Sequence, residues 1–185
     1  MSGDSPTQGA LFQQGDGGAS PTSPLQQLKP RELTLKVISR SEARRLWLEK
    51  HYLKRDVPGA SLEFGVFSPT GELVGGLCFS AWVVWAPQGG RPASWELRRM
   101  WLDDRCSRNS ESRCLRVASR LITRLAPHVK AIIAYADPGA GHHGIIYRAA
   151  GFLDQGWRYP SSKDGYGNTK IKSETRKRKY LLELY

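Results

Sequence analysis

Along this chain, apolar and polar residues alternate at two periods, and the switching between them predicts the order of elements. Residues 33–39 read as a strand. Ser41 stands where a helix cap is expected, ahead of a helix running to about residue 53, with Arg44 at the position that would close a capping box. Residues 62–67 and 72–85 read as two strands joined by the turn signal Ser68-Pro69-Thr70-Gly71. Gly75-Gly76 inside the second predicts a bulge or a close backbone approach. After a loop over 87–92, residues 94–102 predict a strand that alternates Trp95, Leu97, Arg99 and Trp101 on one face. The strongest helical period spans 112–125. It sets Leu115, Ala118, Leu121, Ile122 and Leu125 on one face and Arg113, Arg116, Arg120 and Arg124 on the other. Residues 130–136 read as a buried strand ending at Asp137-Pro138. A Gly-rich turn then leads into a helix over 144–150, stopped by Gly151, and a strand over 152–159. Tyr180-Leu181-Leu182 predicts a last strand or short helix docked on the fold. This order predicts an α/β fold, a mixed central sheet with helices on both faces.

Composition divides the chain. Residues 1–30 are mostly Gly, Ser, Pro, Gln and Thr and cannot bury enough apolar surface to offset their ordering entropy. They are expected to form a disordered tail before a domain over 31–185 with a basic C-terminal segment. No apolar run reaches the roughly 20 residues of a membrane span, and no secretory pattern opens the chain, so a cytoplasmic protein without a membrane partner is expected. Cys78, Cys106 and Cys114 form no CxxC unit, which fits a reducing compartment and no structural zinc.

Charge changes the picture most. The net charge of +11 favours a polyanionic partner, whether nucleic acid or the phosphates of a cofactor. The arginines at 113, 116, 120 and 124 form either a solvated helix face or a track for DNA phosphates, with Lys170 and Lys172 in the basic C-terminal segment as a second contact. Any of Trp82, Trp85 and Trp157 offers a stacking surface for an unstacked base, although tryptophans more often belong to a core. The oligomeric state is not encoded, a homodimer being one option.

Candidate chemistry lies around the Gly-rich turn that follows residue 136. Asp137 ends a strand at its carboxyl edge, where open α/β sheets place ligands. Its carboxylate suits a general base or a hard metal, or else simply a turn. His142 and His143 follow a Gly and precede another, and serve either phosphate contacts or the turn itself.

The stretch Tyr147-Arg148-Ala149-Ala150-Gly151-Phe152 is similar to the Y-x-x-x-G-F signature of the GNAT acyltransferase fold. That resemblance implies a tyrosine that protonates the departing CoA thiolate, and packing is the other use of such a residue. GNAT enzymes hold the CoA pyrophosphate at a helix N-terminus through a [QR]-x-x-G-x-[GA] loop. The corresponding residues are Arg105, Cys106, Ser107, Arg108, Asn109 and Ser110, in which both glycines are replaced. Arg105, Arg108, Asn109 and Ser110 are the candidate contacts to acetyl-CoA.

The central pattern resembles the phage Mom family over about residues 45–160. It comprises Glu96 to Asp104, then Asn109-Ser110-Glu111-Ser112, Asp137-Pro138, Gly141-His142-His143-Gly144 and Ile146-Tyr147. The resemblance implies a GNAT-like fold and an enzyme acting on double-stranded DNA in the host cell. It implies addition of an acetamide-type (carbamoylmethyl) group to adenine N6 that hides phage DNA from restriction. It assigns Arg99 and Tyr147 to activity and donor binding, places Asp137 among the catalytic residues, and gives His51, Tyr52 and Asp137 to an iron ion. Two other functions stay open: an ordinary acetyl-CoA-dependent N-acetyltransferase of a protein or small amine, and a DNA-binding module without activity.

Overall fold

A computed structural model describes residues 27–81, 93–158, 161–163, 169–171 and 176–185. The tail up to residue 26, Trp82, Trp85 and Lys172 lie outside the described residues. The described residues begin within the expected tail. Leu28 donates to the Arg105 carbonyl at 2.8 Å, and its own carbonyl accepts from Ser107 N at 2.9 Å.

The main sheet has seven strands in the order β1 (Thr34–Val37), β2 (Leu62–Phe67), β3 (Leu73–Ala81), β4 (Ser94–Leu102), β5 (Ala131–Ala136), β9 (Lys177–Glu183) and β6 (Leu153–Arg158). Only β4 and β5 run parallel. A short β7 (Ser161–Lys163) and β8 (Thr169–Ile171) form a separate ribbon, which carries Lys170. Helix α1 (Arg40–Glu49) packs on one face through Leu46 and Trp47. Helices α2 (Ser110–Leu125) and α3 (Ile145–Ala149) contribute Leu115, Ala118, Ile122, Ile146 and Tyr147 to the core of the other. This is the expected α/β fold with both faces covered.

Several local expectations are corrected. The cap of α1 is Ser39, not Ser41. The Ser39 Oγ accepts from Glu42 N at 3.3 Å, and Glu42 Oε2 accepts from Ser39 N at 2.9 Å. Counting from Ser39 puts a glutamate at the third helical position, so the box closes and the helix starts earlier. It ends at Glu49 because the chain turns sharply there, with Lys54 at φ +45°. Leu125, expected on the buried face of α2, is 56% exposed at the helix end.

The most consequential correction is in β4. Cys78 pairs with Arg99 but Phe79 pairs with Leu97, so Arg98 is an extra residue and the strand bulges. The bulge inverts the alternation. Trp95, Leu97, Met100 and Leu102 enter the large core, whereas Trp101 packs against α1, and Arg99 shares that face opposite Cys78. Gly76 permits α1 to sit this close, because a Cβ there would come within 2.5 Å of Leu46 and 3.0 Å of the Phe64 carbonyl.

The last strand does not add to an edge. Strand β9 inserts between β5 and β6, antiparallel to both, and buries Tyr180 completely.

Candidate active site

Strands β4 and β5 pair only from Ser94/Ala131 to Glu96/Ile133, yet β4 continues to Leu102 and β5 to Ala136. The bulge at Arg98 bends β4 away immediately beyond the last pair, so the sheet opens into a wedge at the carboxyl ends of its parallel strands. Ligands settle at such a position in open sheets.

One wall of the site comes from the end of α1. Glu63, 5% exposed, accepts from Arg40 Nη1 at 2.9 Å and from Trp47 Nε1 at 3.1 Å. Arg40 also bonds the Val57 carbonyl and pairs with Asp56. This network clamps α1 on β2 and fixes the residues that follow it. His51 is buried, packs edge-on to Trp47, and stacks on Tyr52 with ring centroids 4.5 Å apart. Tyr52, 61% exposed, reaches the His142 ring at 5.9 Å.

Burial, with the charges of Arg99, His142 and Lys54, lowers the His51 pKa to about 4. The ring is therefore neutral at physiological pH. Its Nδ1 accepts from Leu53 N at 3.2 Å, which assigns the proton to Nε2 and makes that nitrogen a donor.

Arg99 faces this cluster from β4. Its Nη1 donates to the Arg98 carbonyl at 2.7 Å, while its Nε is buried with no hydrogen-bond partner. Burial and the neighbouring Arg98 charge lower its pKa. A guanidinium held like this has donor capacity waiting for a ligand.

Tyr147 approaches from α3. Its hydroxyl makes one long hydrogen bond, 3.4 Å to the Tyr135 carbonyl, and its ring packs 5.2 Å from that of Tyr180. Burial and the nearby Tyr52 hydroxyl push its pKa up to about 12, so the phenol keeps its proton. Arg99 acts electrostatically on His51 and with Tyr52, and Tyr52 acts on Tyr147, which links three separate segments of the chain here.

Asp137 has other partners. Its Oδ2 lies 2.9 Å from Lys177 Nζ, its Oδ1 accepts from Gly139 N at 3.1 Å, and its carbonyl accepts from His142 N at 3.0 Å. The Lys177 pairing holds its pKa below the usual carboxylate range. These contacts build the turn that presents His142. Of the expected iron set His51, Tyr52 and Asp137, the two aromatic side chains stack on each other, while the Asp137 carboxylate is paired with Lys177. Among the described residues no three His, Cys, Asp or Glu side chains gather as a metal site.

The loop before α2 departs from a phosphate cradle in geometry as well as in sequence. Arg105 is tied to Glu72 at 2.6 Å and to Asp103 at 2.9 Å, which raises its pKa further. The amides of residues 105, 106, 107 and 110 donate to Asp103, Asp103, Leu28 and Ser107 respectively. Arg108 and Asn109 are exposed, Asn109 with φ +72°, and the buried Ser110 Oγ has no partner. On α2, Arg116, Arg120 and Arg124 are exposed, whereas Arg113 is half-buried and donates to the Leu33 carbonyl at 3.2 Å. The three cysteines are inert in comparison, with burial raising Cys78 and Cys114 to about 12 and Cys106 to about 11.

The Mom protein family model matches residues 32–179, most of the chain and every element of this site. The chain belongs to the Mom protein family. A curated Mom relative, the methylcarbamoylase mom of Escherichia phage Mu, is 37% identical over 130 residues, covering 66% of this chain and 53% of its own length. The chain thus spans about half the length of that relative.

Among solved structures, aminoglycoside acetyltransferase AAC(6')-Ib in complex with paromomycin and acetyl-CoA superposes with a TM-score of 0.58 at 13% identity, covering 82% of this chain and 93% of its own. The ribosomal-protein-S5-alanine acetyltransferase of Vibrio fischeri gives 0.56 at 12%, covering 82% and 93%. Spermidine N-acetyltransferase of Vibrio cholerae gives 0.54 at 11%, covering 83% and 94%. At such identities these neighbours establish the GNAT fold alone.

Three parts of this site have surroundings that the sequence pattern does not give. His142 joins the wedge only because the Asp137 turn aims it there. Lys177 and Tyr180 reach the site on a strand whose place in the sheet no local pattern encodes. The Glu63 clamp was visible only as a carboxylate in an otherwise apolar strand.

Proposed function

We propose that this protein installs an acetamide-type (carbamoylmethyl) group on the exocyclic N6 of adenine in double-stranded DNA, with acetyl-CoA as the candidate source of its two carbons and with an amine-nitrogen donor and a two-electron oxidant as co-reactants. The setting is the cytoplasm of a phage-infected host, and the consequence is resistance of the modified DNA to restriction. The observation that carries this reading is the convergence of His51, Tyr52, Arg99 and Tyr147 on the wedge, the positions that the Mom resemblance singles out. The phage Mu relative, named a methylcarbamoylase, and the CoA complexes of the fold neighbours support it.

The chain's own groups suit such a transfer. A bound acetyl-CoA would supply a carbonyl carbon activated by a thiolate leaving group, where an amine nitrogen forms the amide, while the bond from N6 to the methyl carbon is the separate oxidative step. Tyr147 holds a proton at its hydroxyl through the whole working pH range and has only one long bond to surrender. Arg99 and the Nε2–H of His51 offer two donors to oxygen or ring-nitrogen atoms of the reactants, in a site where preorganised donors act strongly. Asp137 acts as a positioning residue for His142. The exposed arginines 116, 120 and 124 give phosphate contacts that hold the duplex without reading sequence.

The test is nucleoside mass spectrometry on DNA from cells expressing the protein, beside Arg99→Ala and Tyr147→Phe. A heavier deoxyadenosine is expected with the intact chain, at a level reduced roughly a hundredfold or more in Tyr147→Phe, within the range for losing a general acid. Unmodified deoxyadenosine from folded protein overturns the reading. The second function, N-acetylation of a free amine, is favoured by the fold neighbours, and acetyl-CoA turnover with amine acceptors but not DNA would establish it.

A further inference from the structure

A second cavity, of about 290 Å³, lies beside the wedge, between the Asp137 turn, α3 and strands β6 and β9. Trp157, Arg178, Arg148, His142 and His143 line it. Trp157 is one of the three stacking candidates of the sequence and His142 is the residue the Asp137 turn presents, and among the described residues no carboxylate lines the cavity. Its two acidic neighbours are already paired, Asp137 with Lys177 and Asp154 with Arg178 at 2.6 Å.

We propose that this cavity is the acceptor subsite, which receives one purine nucleotide extruded from DNA. The inference rests on the DNA-modification reading above. Three observations carry it. First, the Arg178 guanidinium stands over the Trp157 indole at 5.6 Å, and Trp157 is 46% exposed although it is a large apolar ring. A flat aromatic surface carrying a guanidinium is a stacking platform for a base. Second, Arg148 is exposed and held only by a long bond to the Tyr180 hydroxyl at 3.4 Å, so a cation at the cavity is available to the nucleotide's phosphate.

Third, His142 belongs to both cavity and wedge. It lines this cavity and also stands 5.9 Å from the Tyr52 ring. His142 therefore connects a base stacked on Trp157 to the Tyr52 side of the wedge. The volume lies just under the usual range for small-ligand pockets, roughly 300–1,000 Å³, so it suits one nucleotide and not a whole CoA. A base paired inside a duplex cannot reach such a recess, so extrusion is required.

The experiment compares equilibrium binding of the full chain to two fluorescent duplexes, one with a matched adenine and one with that adenine opposite an abasic site. The unpaired adenine lowers the cost of extrusion, so the intact protein is expected to bind the second duplex about tenfold or more tightly. Trp157→Ala should reduce that preference to within about twofold, and Trp157→Phe should keep most of it. Acetyl-CoA affinity and thermal midpoint should be unchanged in both, since Trp157 lies outside the buried core. A preference that survives in folded Trp157→Ala overturns the subsite. Equal binding of both duplexes by the intact protein overturns it as well, while leaving DNA as substrate. Failure to bind either duplex overturns the DNA reading itself.

Discussion

The Lys177 ammonium stands 2.9 Å from the Asp137 carboxylate, joining the strand nearest the C-terminus to the turn that presents His142. Asp137 ends the strand at the mouth of the wedge, and its other oxygen accepts the Gly139 amide. Asparagine can keep that amide bond but not the charge. Asp137→Asn should therefore retain modification activity within about tenfold, whereas loss of a general base costs about 10²–10⁴. Lys177→Met should behave like Asp137→Asn, and Asp137→Ala should be worse than either because the turn loses its acceptor. Single-turnover modification rates on a defined duplex check the ranking.

Arg99 holds a buried donor without a partner, a feature that costs stability and is expected where function needs it. Arg99→Met should leave the thermal midpoint equal or higher and abolish adenine modification. Calorimetry and nucleoside analysis on the same preparation test this, and a clearly destabilised Arg99→Met would show that the guanidinium has structural partners instead.

His51 gives the protein an acid-sensitive element. Its folded pKa, about 4, lies below the unfolded value of about 6.5. Between these values the unfolded chain binds a proton that the folded chain does not. The contribution is therefore complete above pH 6.5 and is lost as pH falls toward 4, amounting to roughly 3 kcal/mol across the window. In His51→Phe, which cannot titrate, this part of the pH dependence should disappear. Urea titrations at several pH values between 4 and 7.5 measure it.

Gly144 and Tyr180 lock the C-terminal strand to α3. Gly144 has φ +72°, and a Cβ there would fall onto the Tyr180 ring. Gly144→Ala combines left-handed strain with overpacking and should destabilise the fold by roughly 2–4 kcal/mol. Tyr180→Phe removes the hydroxyl that receives Arg148 but keeps the ring, and should cost about 1 kcal/mol. Thermal melts of the two variants give the comparison.

Most elements are legible in the local pattern. Ser94–Leu102 has the expected bounds because alternating large residues favour a half-buried strand, and the period of α2 separates Leu115, Ala118 and Ile122 from Arg116, Arg120 and Arg124. The Tyr147 and Gly151 spacing likewise marks the end of α3 within a residue or two. Where two residues competed locally, the pattern misled: Ser39 and Ser41 are both caps by type, and only the helix register brings Glu42 to one of them.

What remained for tertiary structure was long-range pairing. The bulge at Arg98 depends on the register of β4 against β3, and it decides that Arg99 faces His51 and not the large core beside Leu97. The insertion of β9 between β5 and β6 depends on which strand edges are free once the sheet forms, so Lys177 meets Asp137 and Tyr180 meets Gly144 across distant parts of the chain. Residue types and spacings fix what each segment can become, because helix and strand periods are local properties of the backbone. Which segments meet is decided by burial and backbone hydrogen bonding over the whole sheet, and the site in this protein is made of such meetings.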